Sequence, residues 1–360
     1  MNPCLHAGFT ALLALALTAC NGQRPLTPQE KDTLNHLTEN LVTRCVGRYL
    51  IDVPADSHMF QSTNVEKVMV EAQAMTHERY LREMQARHEE LMATKNDSGY
   101  QYLYNDGVIE GMPDSRYFIA LRSPGALTDA GRMIEAYRWD RGYRIKMMLE
   151  AYSAKDSTYF KDDPSVRDNP GMTNISERLA KIVSFLSRTQ GRPDTEIPTE
   201  PGMCFPGGFI AGHASEKENL RAHFVLDTHR DVSFDLDTDT DIRGTTTLLQ
   251  RGDEIRRVLR HKKDGRTLRN GRVQLTDLAA EEWLMAGETH AGVAAFHFQL
   301  EANSLVGSPK SPFLQLELDV GTSNRLLKSY REPAGSLTEA ESVGLWDAVS
   351  RTLRPRPNAF

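Results

Sequence analysis

Between Gln190 and Gly202 the chain carries Gly191, Pro193, Pro198, Pro201 and Gly202. Each proline fixes its φ and removes a backbone donor, so neither a helix nor an inner strand can run through this stretch. The chain is therefore expected to fold as two halves, residues 27–189 and 203–360, joined by a linker at 190–202. The halves open alike. Cys45-Val46-Gly47-Arg48-Tyr49-Leu50-Ile51-Asp52-Val53-Pro54 starts the first, and Cys204-Phe205-Pro206-Gly207-Gly208-Phe209-Ile210-Ala211 starts the second. With 360 residues, each half has enough chain for a sizeable core.

Hydrophobic periodicity fills in the elements. Thr27-Pro28-Gln29-Glu30 is a helix start with a capping box, and Leu34, Leu37 and Leu41 extend the predicted helix over 28–44. A strand follows over 45–54 and another over 65–75, then a surface helix over 77–95. Alternation predicts strands at 99–105, 117–122, 133–139 and 143–152. Their connections are too short for crossover helices, so the pairing is antiparallel. Residues 173–188 read as an amphipathic helix capped by Thr173 or Asn174. In the second half, strands are expected at 204–211, 220–226, 231–237, 266–275, 294–300 and 313–320. A helix at 253–261 lies among them, and a last one runs from Leu337 through Trp346 to Leu353. The fold class is thus α+β: two similar-sized domains, each a mainly antiparallel sheet with packed helices.

Residues 1–19 have the make-up of a signal peptide. An apolar run from Ala7 to Ala19 is too short to span a bilayer, and it ends in Leu17-Thr18-Ala19-Cys20, the pattern of a lipoprotein processing site. Cys20 is the expected lipidation site, with residues 20–26 as the lipidated tether. The mature chain is then periplasmic and held to a membrane by its lipid, and Asn21 after the cysteine leans towards the outer membrane. Cys4 leaves with the signal and Cys20 is acylated, which leaves Cys45 and Cys204. In an oxidising compartment these two are natural disulfide partners, and the other reading is a pair of buried free thiols.

No catalytic motif accompanies this address. The sequence lacks a GxSxG elbow, an HExxH helix, a P-loop and a GxGxxG turn. No catalytic residue, metal ligand or cofactor is assigned. A net charge of −6 with mixed signs gives no electrostatic case for nucleic acid. The run Asp235-Leu236-Asp237-Thr238-Asp239-Thr240-Asp241 resembles the start of a calcium loop. It fails as one, because Ile242 or Thr240 sits where glycine is needed and Leu248 or Thr246 where the bidentate glutamate belongs. At strand spacing the four aspartates share one face, either simply solvated or an acidic patch for a basic partner. Glu281 and Glu282 are adjacent on a strand and would point to opposite faces.

Several segments resemble one family. They are the two Cys-led openings, Leu248-Leu249-Gln250-Arg251, Ala280-Glu281-Glu282-Trp283, Leu337-Thr338-Glu339-Ala340-Glu341 with Leu345-Trp346-Asp347, and Leu353-Arg354-Pro355-Arg356-Pro357. Together, over about residues 27–357, they are similar to the cognate immunity proteins of type VI secretion lipase effectors, specifically those answering the fourth class of lipase. The resemblance implies a non-enzymatic periplasmic inhibitor that grips an effector of α/β-hydrolase fold with both domains and stops the lid movement that admits lipid. A Cys45–Cys204 bond would suit the rigidity such a grip needs. An envelope hydrolase without a familiar motif, or an envelope scaffold lipoprotein, are the alternatives. The contact residues leave no signature in sequence.

Overall fold

The computed structural model describes residues 24–289, 292–321 and 335–360. The expected signal peptide, Cys20 and the start of the expected tether lie outside the described residues. In chain order the strands are β1 (Leu41–Val46), β2 (Tyr49–Pro54), β3 (Ser57–Val65), β4 (Val68–Ala74), β5 (Leu103–Gly107), β6 (Ser115–Leu121), β7 (Gly131–Asp140), β8 (Tyr143–Tyr152) and β9 (Thr189–Gly191). They continue with β10 (Gly202–Phe205), β11 (Gly208–Ala211), β12 (Glu218–Leu226), β13 (Val232–Asp239), β14 (Arg266–Leu275), β15 (Leu278–Glu288), β16 (Ala294–Ala302), β17 (Phe313–Val320) and β18 (Arg354–Pro355). The helices are α1 (Pro28–Thr38), α2 (His77–Ala93), α3 (Pro164–Arg167), α4 (Ile175–Ser187), α5 (Gly252–Arg260) and α6 (Glu339–Ser350).

Period-two patterning builds the main sheet. In β17, Leu314, Leu316, Leu318 and Val320 are buried while Gln315, Glu317 and Asp319 are only half covered, and a strand with such faces must lay its apolar side on a core. Twelve strands join in the order β14-β15-β16-β17-β13-β12-β3-β4-β8-β7-β6-β5. Every pairing is antiparallel. The two halves of the chain therefore meet edge to edge. β12 pairs with β3 along its length, from Glu218 opposite Val65 to Leu226 opposite Ser57.

One face of this sheet carries the core. α4 lays Ile182, Phe185 and Leu186 among Ile134, Ala136, Ile145 and Met147, and α6 buries Trp346 against Phe298 with ring centroids 6.0 Å apart. α1 packs on α6, where Gly344 lies so close to Leu34 that a Cβ would stand 2.5 Å from Leu34 Cδ2. The capping boxes of α1 and α6 also touch: Thr338 Oγ1 donates to Glu30 at 3.0 Å, so one carboxylate serves two helix starts.

The termini interleave. β18, at the end of the chain, pairs with β2, and Phe360 meets Tyr49 edge to face. Gly47 sits at φ 58°, where glycine is strain-free, in the two-residue turn that joins β1 to β2. Its backbone exchanges hydrogen bonds with Cys204, of 3.0 and 2.8 Å. Cys45 and Cys204 are joined by a disulfide, both buried. Nearby, Arg48 forms a buried pair with Glu218 at 2.7 and 2.8 Å, and Arg356 donates to the carbonyls of Pro198, Glu200 and Gly202. The proline-rich segment is thus strapped to the C-terminus.

Several boundaries differ from the sequence reading. The first helix stops at Thr38 instead of residue 44, because Val42, Thr43 and Val46 pair with β2. The expected single strands over 45–54 and 204–211 fold back at Gly47-Arg48 and Pro206-Gly207. The strand expected over 65–75 begins only at Val68, after a turn at Glu66-Lys67, both at positive φ, and β3 before that turn has no counterpart in the sequence reading. β15 was also missed as an element, and β5 begins at Leu103 instead of Gly99.

Candidate recognition surface

Opposite residues in an antiparallel pair share a face, so the register defines the outer side of the sheet. Trp283 stands opposite Gln299, Gln299 opposite Glu317, Glu317 opposite Asp235, Asp235 opposite His223, and His223 opposite Phe60. The same face continues through Asn64 and Met69 to Met148, Glu135 and Phe118. Among the described residues, helices cover it near its two ends. At one, α2 buries Tyr80, Met84 and Leu91 against Phe118, Ala120 and Tyr137, and Arg87 grips Glu135 at 2.6 and 3.0 Å. At the other, α5 stands on β14 and β15, with the Arg256 guanidinium over the Trp283 ring. Between these two walls, strands β4, β3, β12, β13, β17 and β16 leave a floor with no helix on it among the described residues.

The floor is polar and its charges are unevenly matched. On β13 and β17 lie Asp235, Asp237, Asp239, Glu317 and Asp319. Arg221 contacts Asp237 at 2.9 Å, His223 Nδ1 is 2.7 Å from Asp235, and His297 Nδ1 is 2.8 Å from Asp319 with Glu317 at 3.8 Å. Asp239 accepts from Asn219 and from the amides of Asp241 and Ile242. Burial pulls the His297 pKa down, but the hydrogen bond and charge of Asp319, with Glu317 behind, more than reverse that and hold it above the ordinary value. Burial raises the carboxyl of Glu317, and neighbouring Asp319 and Asp235 add to it against the pull of His297. The carboxyl of Asp237 is also raised by burial, in spite of Arg221.

Where the floor meets α5 there is an apolar notch. A cavity of about 330 Å³ is lined by Arg251, Glu254, Ile255, Val258, Leu259 and Met285. Val258 is 54% exposed, and Met285 stands directly opposite His297 on the floor. Among the described residues no group of three or more His, Cys, Asp or Glu is placed to hold a metal ion, and no helix is long and apolar enough to cross a membrane. What this surface can do chemically is hold another surface.

Two family models match the chain: the N-terminal domain of Tle cognate immunity protein 4 over residues 42–192, and its C-terminal domain over 196–358. The chain belongs to the Tle cognate immunity protein 4 family. Its members are immunity proteins, not enzymes, which sets aside the reading of an envelope hydrolase. The fold is shared with solved structures. The apo immunity protein TplEi of the type VI secretion system of Pseudomonas aeruginosa matches with a TM-score of 0.68 at 19% identity, over 89% of this chain and 98% of that one. A chain of the Tle4–Tli4 complex matches with a TM-score of 0.68 at 20% identity, over 89% and 99%. No curated protein matches the immunity protein in sequence.

The acidic run falls on the floor of the open face, but not as the plainly solvated row that strand spacing suggested. Asp235, Asp237 and Asp239 are half covered and each has a partner, whereas Asp241 lies beyond the end of β13 in the turn. Glu281 and Glu282 do part to opposite faces. Glu281 accepts from the Leu249 amide at 2.9 Å on the outer side, and Glu282 is buried beneath Arg269, Arg351 and Trp346 on the core side. Glu317, Asp319, His223, His297 and Val258 escaped sequence reasoning. The alternation of β17 was visible, but nothing in it said which strands would flank it.

Proposed function

We propose that this immunity protein is a stoichiometric inhibitor of a type VI lipase effector. It holds the toxin on the open sheet face between α2 and α5, so that the lobes carrying those helices clamp the lid that has to move before lipid can enter. The observation that carries this reading is the family match over both domains. Two neighbours in fold support it: one is an immunity protein of a type VI system, and the other is the Tli4 partner in a Tle4–Tli4 complex. A third, again TplEi, was solved with a peptide bound. The effector is taken to be a phospholipase of α/β-hydrolase fold. The work is assigned to the periplasm, with the chain anchored by lipid at Cys20 after cleavage behind Leu17-Thr18-Ala19. An inhibitor of a membrane-attacking enzyme is most useful at the membrane, and the outer one is favoured by Asn21. The open face suits recognition, since it offers a wide floor and two walls where an enzyme would need an enclosed pocket.

The test is to direct the lipase effector to the periplasm with and without this chain. Protection from lysis, with co-purification in equal amounts, is expected. Unchanged lysis and no co-purification would sink the reading. Labelling with a palmitate analogue tests the anchor, and Cys20→Ser should abolish the label.

A further inference from the structure

The open face sets like charges against each other. Asp235 and Glu317 stand directly opposite on neighbouring strands, an arrangement that destabilises a sheet. Folding gains nothing from it. Asp237, Asp239 and Asp319 lie on the same two strands, and Arg221 is the guanidinium that faces them from β12. The histidines His223 and His297 offset the excess only when protonated. The Arg256 guanidinium on α5 is engaged with its own helix's Asp253 at 2.8 Å. Two strands along the sheet from Glu317, the notch at Ile255, Val258 and Met285 offers uncovered apolar surface.

Resting on the inhibitor reading above, we propose that the open sheet face takes a cationic, amphipathic segment of the protein partner, its basic side chains over Asp237 and Glu317 and an apolar side chain in the notch beside Val258. Charge complementarity selects this occupant: an anionic lipid surface or an acidic segment would be repelled by the same floor. Burial holds the carboxyls of Glu317 and Asp237 up, with Asp319 and Asp235 adding to it, and a cation seated on the floor would favour their charged forms.

The probe is a short labelled helical peptide with lysines along one side and leucines along the other, together with its glutamate-for-lysine twin. Anisotropy titration of the whole mature protein should show binding of the lysine peptide, weakened by salt, and none of the twin. Glu317→Lys, Asp237→Lys and Val258→Asp should each weaken binding about tenfold or more. Glu177→Lys, exposed on α4 across the sheet, should leave it unchanged. Where a lysine variant fails to fold, Glu317→Gln and Asp237→Asn replace it, and they too must weaken binding. Equal binding by all variants, or by the glutamate twin, overturns the proposal, and so does an equal loss in Glu177→Lys. Co-purification with the lipase effector separates the two readings. Capture that Glu317→Lys and Val258→Asp leave intact keeps the inhibitor and removes this site. Binding of the peptide without capture of the effector removes the inhibitor.

Discussion

Glu317 stands raised in the folded state, so ionising it costs more in the fold than in the open chain. The sign follows: its contribution to stability is full below the unfolded carboxylate value, about pH 4, and is lost as the pH climbs through the folded value. At neutral pH the protein carries the whole cost, and a glutamine carries none. Glu317→Gln should therefore melt at a higher temperature than wild type at pH 7, and the gap should close on acidification to about pH 4. Thermal melts across that range check it. Arg48 is the opposite case, since its guanidinium and the Glu218 carboxylate are both buried. Arg48→Met leaves that carboxylate buried without its cation, held by the Ser215 amide, and should cost about 3–5 kcal/mol in urea unfolding. Of the charges on the floor, only the aspartates of the run were visible beforehand, because a charge on a strand names its face but not the charges that will flank it.

Among the elements, α6 joins the two halves from the core side, packing on α1 and β2 as well as on β16 and β17. Trp346 is fully buried, touches Phe298, and donates its indole N–H to Glu282 at 3.1 Å. Trp346→Ala should cost about 3–5 kcal/mol, read from the shift in denaturation midpoint. Elements with strong patterns were legible: β7, β8, β16 and β17 from alternation, α4 from its apolar stripe, and α1 and α6 from their capping boxes. Tight turns were not. Gly47-Arg48 and Glu66-Lys67 lack the Asn-Gly signature of two-residue hairpins, so β2 and β4 were legible without the strands that pair with them. The pairing of β3 with β12 was also invisible, because their backbones meet across most of the first half of the chain and no local pattern records that. Without that seam, neither the floor nor its walls could be drawn.

For the molecule as a whole, the Cys45–Cys204 disulfide closes a loop of 159 residues. In the chain-entropy model such closure is worth about 4–5 kcal/mol. The double variant Cys45→Ser/Cys204→Ser should lose stability of that order in chemical denaturation, and dithiothreitol should do the same to wild type once the buried bond is reached. The pairing of β2 with the last strand has a different consequence, one of timing. Tyr49 and Arg48 wait for Phe360 and Arg356, from the far end of the fold, before the first hairpin is fully enclosed. A nascent chain that holds only the first half lacks these partners and cannot yet enclose the hairpin. Late closure leaves the nascent chain open for longer, and for the export proposed above that is the form a translocation channel accepts.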